Sequence, residues 1–462
     1  MLRKPPPGTA RSDDYPVPDY VPMAGTALTD AERWPLLTPE GAALLDRLRS
    51  HPHAPRYNHA CGDRLTADTR DRLRAYRDVL VSWRDPGWVD ELIERVYATV
   101  PRYRRSGPAP ADLLDVPTIG RHDLLSRVEE HVPDDADLRD LIVYRTSGSR
   151  GPAATVPMTP EFCALDLPVI EHVLAGLGVE ILGGPQRVSL VNVYFQPVAY
   201  QFASVASYLG DAGHLKLNLH PSGWSVPGDM VSFLDDCDPE LYTGNPISLA
   251  ALAELPLTTR PKAVLSGAMA LGEGLRARLA ERFGCPVVDL YGITETGLIA
   301  WRDGQGHRLL PRRLFVEILD DSGNRCPPGV SGEITVTCGE NAALPLLRYR
   351  TGDHAALHGD VLVGLEGRQP VRFRAAGGGW VNSIELTHVL SPLGLVAWRL
   401  HQSADGAVSL TMHGTGAPAP ALAESAVRGL LGDVPLEVRT ADLAGDAKPQ
   451  RYSSEVPWAA IG

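Results

Sequence analysis

Lysine is nearly missing from this chain. Of its 44 basic residues only Lys4, Lys216, Lys262 and Lys448 are lysines, and the other 40 are arginine, so the position of each lysine carries information. A broad basic surface is missing too. With a net charge of −12, a nucleic-acid footprint would need strong local segregation of charge, and no nucleic-acid partner is expected. The six cysteines (Cys61, Cys163, Cys237, Cys285, Cys326 and Cys338) are dispersed without C-x-x-C spacing. That argues against a zinc site or a disulfide framework and suits a reducing cytosol. No run of 18 apolar residues occurs, and the start Met1-Leu-Arg-Lys-Pro-Pro-Pro7 has no apolar h-region. Neither a membrane span nor a secretory leader is expected, and the expected location is cytoplasmic.

What is present describes an ordinary globular chain, 44% apolar and 22% charged over 462 residues, too long for one core. Residues 1–25 are proline-rich and read as an extended arm. Helical periodicity marks Asp68–Val81 and Trp88–Tyr97, and a short helix follows the turn Asp115-Val-Pro-Thr-Ile-Gly120. Thr159-Pro-Glu161 opens another helix, with threonine at N-cap and proline at N1. Strand and helix patterns then alternate. Strands are expected at Arg187–Tyr194, His214–Leu219, Leu241-Tyr242, Lys262–Ser266 and Val287–Leu290, and helices near Ala199–Leu209, Trp224–Asp235, Ile247–Glu254 and Glu273–Phe283. This is the rhythm of a mostly parallel sheet covered by helices. Beyond about residue 312 the pattern turns β-rich, Gly364–Pro370 reads as a linker, and the last ~90 residues suit a small α+β domain.

Five strings carry chemistry. Thr146-Ser-Gly-Ser-Arg-Gly151, after the apolar run Leu141-Ile-Val143, can lay N–H groups and hydroxyls around an anion; taken alone, such a loop is also an ordinary surface turn. Leu290-Tyr-Gly-Ile-Thr-Glu-Thr-Gly297 sits at a strand's carboxyl end, where open α/β sheets bind ligands. It offers a ring for a flat base, a hydroxyl, and a carboxylate able to hold Mg2+ beside a phosphate. Leu347-Arg-Tyr-Arg-Thr-Gly-Asp353 ends on an aspartate that can accept from a ribose diol or simply close a hairpin. Gly367-Arg368 places a guanidinium at the proposed domain boundary. Gly445-Asp-Ala-Lys-Pro-Gln-Arg451 holds one of the four lysines between glycine and proline.

In this order and approximate spacing the five strings resemble the adenylate-forming superfamily: acyl-CoA synthetases, nonribosomal-peptide adenylation domains and luciferases. The short N-terminal region, Asp115-Val-Pro-Thr-Ile119 and Leu346-Leu-Arg-Tyr-Arg350 are most similar to the phenylacetate–CoA ligase branch. The resemblance implies an α/β chain with a large domain of mostly parallel sheets plus a β-rich subdomain over residues 26–367. It also implies a small mobile α+β domain over residues 368–462 that carries a catalytic lysine. Thr146, Ser147, Gly148, Ser149 and Gly151 would cradle the ATP β- and γ-phosphates, and Ser266, Gly267 and Ala268 would line the adenine. Tyr291 and Gly292 would give the stacking face, Thr294 a bond to the α-phosphate, and Glu295 a Mg2+ ligand. Asp353 would bind ribose with Arg368 nearby, and Lys448 would reach the carboxylate and α-phosphate. By family position the acyl pocket lies along Tyr194, Phe195, Tyr200 and Phe202, whose rings fit an aryl or arylacetic acid or equally a packed core.

The implied reaction is ATP-dependent activation of a carboxylic acid, with pyrophosphate release and transfer to CoA or another nucleophile. Two alternatives remain: adenylation that leads to an amide or loads a separate carrier protein, and a nucleotide-binding relative without turnover. The chain departs from the family's pattern at Arg150, at Ala154 in place of a lysine, and at Pro370 in the hinge. Proline confines torsional change at the hinge largely to ψ, which bears on the transfer step more than on adenylation.

Overall fold

The computed structural model describes residues 28–80, 87–145, 154–197, 199–226, 228–304, 306–367, 371–413, 420–443 and 450–457. The proline-rich arm, Thr146, Ser147, Gly148, Ser149, Arg150, Gly151, Arg368, Pro370 and Lys448 lie outside them.

Five strands form a parallel core in the spatial order Val287–Ile293, Ala263–Ser266, Leu241–Gly244, Val188–Tyr194 and Ala212–Asn218. Successive side chains on a strand face opposite sides, so a sheet buried on both faces needs apolar residues at every position. These strands largely meet that need, with polar exceptions such as Ser189, Lys216 and Asp289. Val191, Val193, Tyr242 and Val264 enter the core shared with helices Pro39–Arg49, Asp229–Cys237, Pro246–Ala253 and Glu273–Phe283. Their neighbours Leu190, Leu241, Ala263 and Leu265 enter the opposite core, against Val169, Ile170, Val173 and Leu174 of helix Asp166–Gly176. Beyond Val287–Ile293 the same sheet turns antiparallel through Gly297–Asp303, Gly306–Leu309, Val361–Glu366, Leu346–His358, Gly332–Cys338 and Leu314–Leu319. The whole is α/β, with a parallel sheet under helices and a β-rich extension.

Three local expectations give way. Ala199–Leu209 is not a helix: Phe202–Ala206 is a strand antiparallel to Ala212–Asn218, and Ser207–Leu209 is a short 3-10 turn. Ala203 and Val205 alternate into the core with period two, and the chain reverses at Gly210 (φ 68°) and Asp211 (φ 63°). The Asp211 carboxylate, by accepting from the Thr38 N–H and hydroxyl at 2.8 and 2.7 Å, helps hold that left-handed turn. Thr351-Gly-Asp353 is no hairpin tip but part of the 13-residue strand Leu346–His358, irregular in register where Gly352 takes φ 76°. Gly364–Glu366 belongs to the strand Val361–Glu366 rather than to a linker.

Residues from Phe373 to Tyr452 build a separate core, with Leu386, Trp398, Leu410, Val427 and Leu431 at its centre. Its sheet runs Leu436–Ala441, Val408–His413, Trp398–Gln402 and Tyr452–Ser454, with helices Ser383–Leu390 and Pro420–Leu431. It touches the larger body at residues 270–274: Glu273 N–H donates to Ser391 Oγ at 3.2 Å, and Arg451 Nη2 to the Ala270 carbonyl at 3.1 Å.

Candidate functional site

The parallel strands end side by side at Tyr194, Asn218, Gly244, Ser266 and Ile293, and of the sequence-identified residues those that are described lie at or near that carboxyl edge. Tyr291 and Gly292 immediately precede Ile293, the last residue of their strand, and Thr294–Thr296 form the turn into Gly297–Asp303. Glycine is required at 292, because a Cβ there would meet the Gly297 carbonyl at 2.7 Å. Gly297 turns the chain at φ 71°.

Two hydroxyl–carboxylate bonds tie this string to the one around Asp353. Tyr291 Oη donates to Asp353 Oδ2 at 3.0 Å, and Tyr349 Oη donates to Glu295 Oε1 at 3.0 Å. The pairs are 62 and 54 residues apart in sequence. Both bonds depend on the antiparallel extension, which carries the strand Leu346–His358 back beside the parallel core. Burial first, then the Glu295 charge, drives the Tyr349 phenol's pKa well up, so it stays a donor at neutral pH. Arg121 Nη1 lies 4.0 Å from the same Glu295 oxygen. It begins the helix that follows Ile119-Gly120, which pairs in parallel with Tyr349-Arg350. Thus the Asp115–Ile119 and Leu346–Arg350 strings, separate in sequence, are neighbours. Arg348 locks them, pairing with Glu317 at 3.2 Å and donating to the carbonyls of Leu114 and Val116 at 2.9 and 3.0 Å. The adjoining strand Val361–Glu366 delivers Gly367 to Asp353, whose Oδ1 would lie 3.8 Å from a Cβ at 367.

Ser266 closes its strand opposite Asp289 and is fully buried, yet its hydroxyl has no hydrogen-bond partner among the described residues. Such a group is costly unless a ligand or water completes it. Gly267 follows, and Ala268 takes φ 65°, unusual for a residue with a Cβ. The Thr296 hydroxyl, also fully buried, likewise lacks a partner among the described residues. Glu295 Oε2 accepts no hydrogen bond among them, and they include no cluster of three metal-ligating side chains. A single carboxylate with a spare oxygen suits Mg2+, which takes its remaining ligands from phosphates and water.

The aromatic residues lie on the other side of Leu241–Gly244. Lys216 Nζ sits 4.3 Å from the Tyr194 ring centre and 5.6 Å from that of Tyr200. His59 stacks at 5.1 Å on Tyr200 and 5.9 Å on Phe202, while Phe195 faces His220 at 5.8 Å. Burial, reinforced by Lys216, lowers the pKa values of His59 and His214 to about 4, which keeps both neutral at pH 7. Sequence reasoning missed Lys216, Arg121 and the two imidazoles as neighbours of the site; the rarity of lysine was the available signal for the first. A separate cleft of about 570 Å³, lined by Arg47, His51, Glu240 and Lys262, opens where these strands begin, at the edge away from the site.

Residues 211–343 match the family described as AMP-binding enzyme. A phenylacetate–coenzyme A ligase of Thermus thermophilus is 26% identical over 311 residues, 62% of this chain and 65% of that protein. One from Aromatoleum evansii is 24% identical over 323 residues, 62% of this chain and 66% of that protein. The matched segments thus span just under two thirds of each relative's length. A crystal structure of 2-hydroxyisobutyryl-CoA ligase in complex with 2-HIB-AMP superposes with a TM-score of 0.59 at 18% identity, over 85% of this chain and 94% of that one. The fold is that of the adenylate-forming enzymes, and among curated proteins the sequence is similar to phenylacetate–CoA ligases.

Proposed function

We propose that this chain is an adenylate-forming ligase that uses ATP to activate a carboxylic acid, of aryl or arylacetic type, and passes the acyl group to CoA or another nucleophile. One observation carries the reading: the two bonds Tyr291–Asp353 and Tyr349–Glu295, which join the adenine and Mg2+ string to the ribose string at the carboxyl edge of the sheet. Tyr291 stacks on adenine and Ser266 lines it, with a buried hydroxyl left over for a ring nitrogen. Asp353 accepts from the ribose diol, beside Gly367 and Arg368. Thr294 bonds the α-phosphate, while the loop Thr146–Gly151 takes the β- and γ-phosphates. Glu295 holds Mg2+, which when bound neutralises charge on the phosphates.

A carboxylate oxygen attacks the α-phosphorus as the bond to the β-phosphate oxygen breaks and pyrophosphate departs. The nucleophile then attacks the acyl carbon and AMP leaves. Catalysis in the first step is in-line positioning plus neutralisation of building charge, to which a flexible ammonium contributes. Lys448 is assigned that role. Support comes from Arg451, three residues on, which donates to the Ala270 carbonyl beside the Ser266–Ala268 segment; three residues reach ~10 Å.

The deciding measurement is pyrophosphate release across aryl, arylacetic and amino acids, with and without CoA. Acid-dependent release, followed by acyl-CoA only when CoA is present, is the expected result. ATP binding without release for every acid would overturn the proposal. Lys448→Ala should cut acid-dependent ATP–pyrophosphate exchange by ~10²–10³-fold with the fold intact.

A further inference from the structure

Of the two lysines among the described residues, Lys262 is accounted for. Its ammonium pairs with Glu240 at 2.8 Å and donates to the Glu180 carbonyl at 2.8 Å, at the edge of the sheet where strands begin. Lys216 is different. It forms no ion pair among the described residues; its ammonium lies over the rings of Tyr194 and Tyr200, with His59, His214 and the Cys61 thiol also close enough to feel its charge. It is partly buried, two residues before the end of Ala212–Asn218 and so on the carboxyl edge that carries the nucleotide residues. The flanking groups add no competing charge: His59 and His214 are held neutral, and Phe202 is apolar. The Asp63 carboxylate, which like Lys216 acts on the Cys61 thiol, is engaged elsewhere, accepting from the N–H groups of Ser207 at 2.6 Å and Leu65 at 3.3 Å.

A partly desolvated ammonium without an anion is costly, and cation–π contact with two tyrosines offsets only part of that cost. Neutral walls around one cation make a receptor for a single negative group flanked by flat apolar surface. We infer that Lys216 reads a second anionic substituent on the acid being activated, so that the preferred substrates are dicarboxylic acids whose distal carboxylate pairs with its ammonium. The inference rests on the ligase reading and deepens it: one carboxylate goes to the α-phosphorus and the other to Lys216, between Tyr194 and Tyr200.

The test compares matched acids, phenylacetate with 4-carboxyphenylacetate, benzoate with terephthalate and hexanoate with adipate, in ATP–pyrophosphate exchange by the wild type, Lys216→Met and Lys216→Gln. Calorimetric binding of each acid runs alongside, and melting curves establish that each variant is folded. The wild type is expected to favour the diacid of a pair. Either neutral substitution should lower kcat/KM for the diacid on the order of 10- to 100-fold more than for its monoacid, the range of a charge-assisted bond. Equal losses for both acids, or a wild-type preference for the monoacid, would overturn the inference while leaving the ligase reading standing. No exchange with any acid, but Lys216-dependent diacid binding, would sink the ligase reading and with it the claim about the activated acid, leaving Lys216 as a carboxylate-binding group alone. Absence of both would remove the two together.

Discussion

The Tyr349 hydroxyl donates to Glu295 Oε1 at 3.0 Å, inside a site where Glu295 is 6% exposed. The bond leaves the other carboxylate oxygen available and fixes which way it points. Tyr349→Phe removes the donor but keeps the ring, so it should loosen Glu295 without emptying the core. We expect about a tenfold fall in ATP–pyrophosphate exchange, with half-saturation moved to higher Mg2+, as for loss of an orienting partner of a metal ligand. Glu295→Gln should lose ~10²–10³-fold. A Tyr349→Phe variant with unchanged Mg2+ dependence would mean that the tyrosine merely fills space.

Tyr291 has two separable features, its ring and its hydroxyl bond to Asp353. Tyr291→Phe retains the stacking face and frees Asp353 from one donor, so KM for ATP should change only a few-fold. Tyr291→Ala also loses the stack, worth ~1–3 kcal/mol per base, and KM should rise roughly 10- to 100-fold. Steady-state kinetics in ATP checks both. Equal effects of the two substitutions would place the hydroxyl, not the ring, at the nucleotide.

The sequence disclosed the parallel core well because burial on both faces demands apolar-rich strands, and Val188–Tyr194 and Ala263–Ser266 are mostly apolar, interrupted only by Ser189, Asn192 and the terminal Ser266. Phe202–Ala206 was illegible for a physical reason. Its alternation spans five residues, and the polar Ser204 within it is buried beneath Trp34, accepting from Trp34 Nε1 at 3.1 Å, a partner 170 residues away. Tyr349 was read as part of a ribose string, since nothing local shows that its hydroxyl faces Glu295, 54 residues away. Lys216 could be flagged as rare but not located, because ring contacts from two other segments define its surroundings.

Arg348 is expected to matter for folding rather than for chemistry. It is buried at φ 46°, pairs with the almost inaccessible Glu317, and holds the carbonyls of Leu114 and Val116. Arg348→Met would leave the buried Glu317 carboxylate with Arg325 alone, at 2.8 Å, and take a donor from the carbonyls of Leu114 and Val116, a loss of ~1–3 kcal/mol. The midpoint of denaturant unfolding should drop accordingly, while any protein that stays folded should keep its KM for ATP. A Glu317→Leu change added to Arg348→Met should recover part of the loss, since it removes the buried, half-paired carboxylate and leaves the exposed Arg325 to solvent.

His59 and His214 give the aromatic pocket a pH dependence whose sign can be derived. Burial first, and Lys216 second, lowers each pKa from 6.5 to about 4, so the folded protein resists protonation where the unfolded chain accepts it. Between those values the unfolded state binds more protons, and stability must rise with pH. The contribution is therefore complete above about pH 6.5 and is lost as pH falls toward about 4. After allowance for partial exposure it amounts to roughly 1–2 kcal/mol per imidazole. His214→Gln should flatten the curve of unfolding free energy against pH across this window relative to wild type. The comparison between the two proteins isolates the imidazole from the carboxylates Asp63 and Asp166, whose raised pKa values act in the opposite sense. Lys216→Met should flatten it too, by a smaller amount, because it removes the secondary cause and leaves burial in place. Parallel curves for wild type and His214→Gln would show that this ring titrates alike in the folded and unfolded chains.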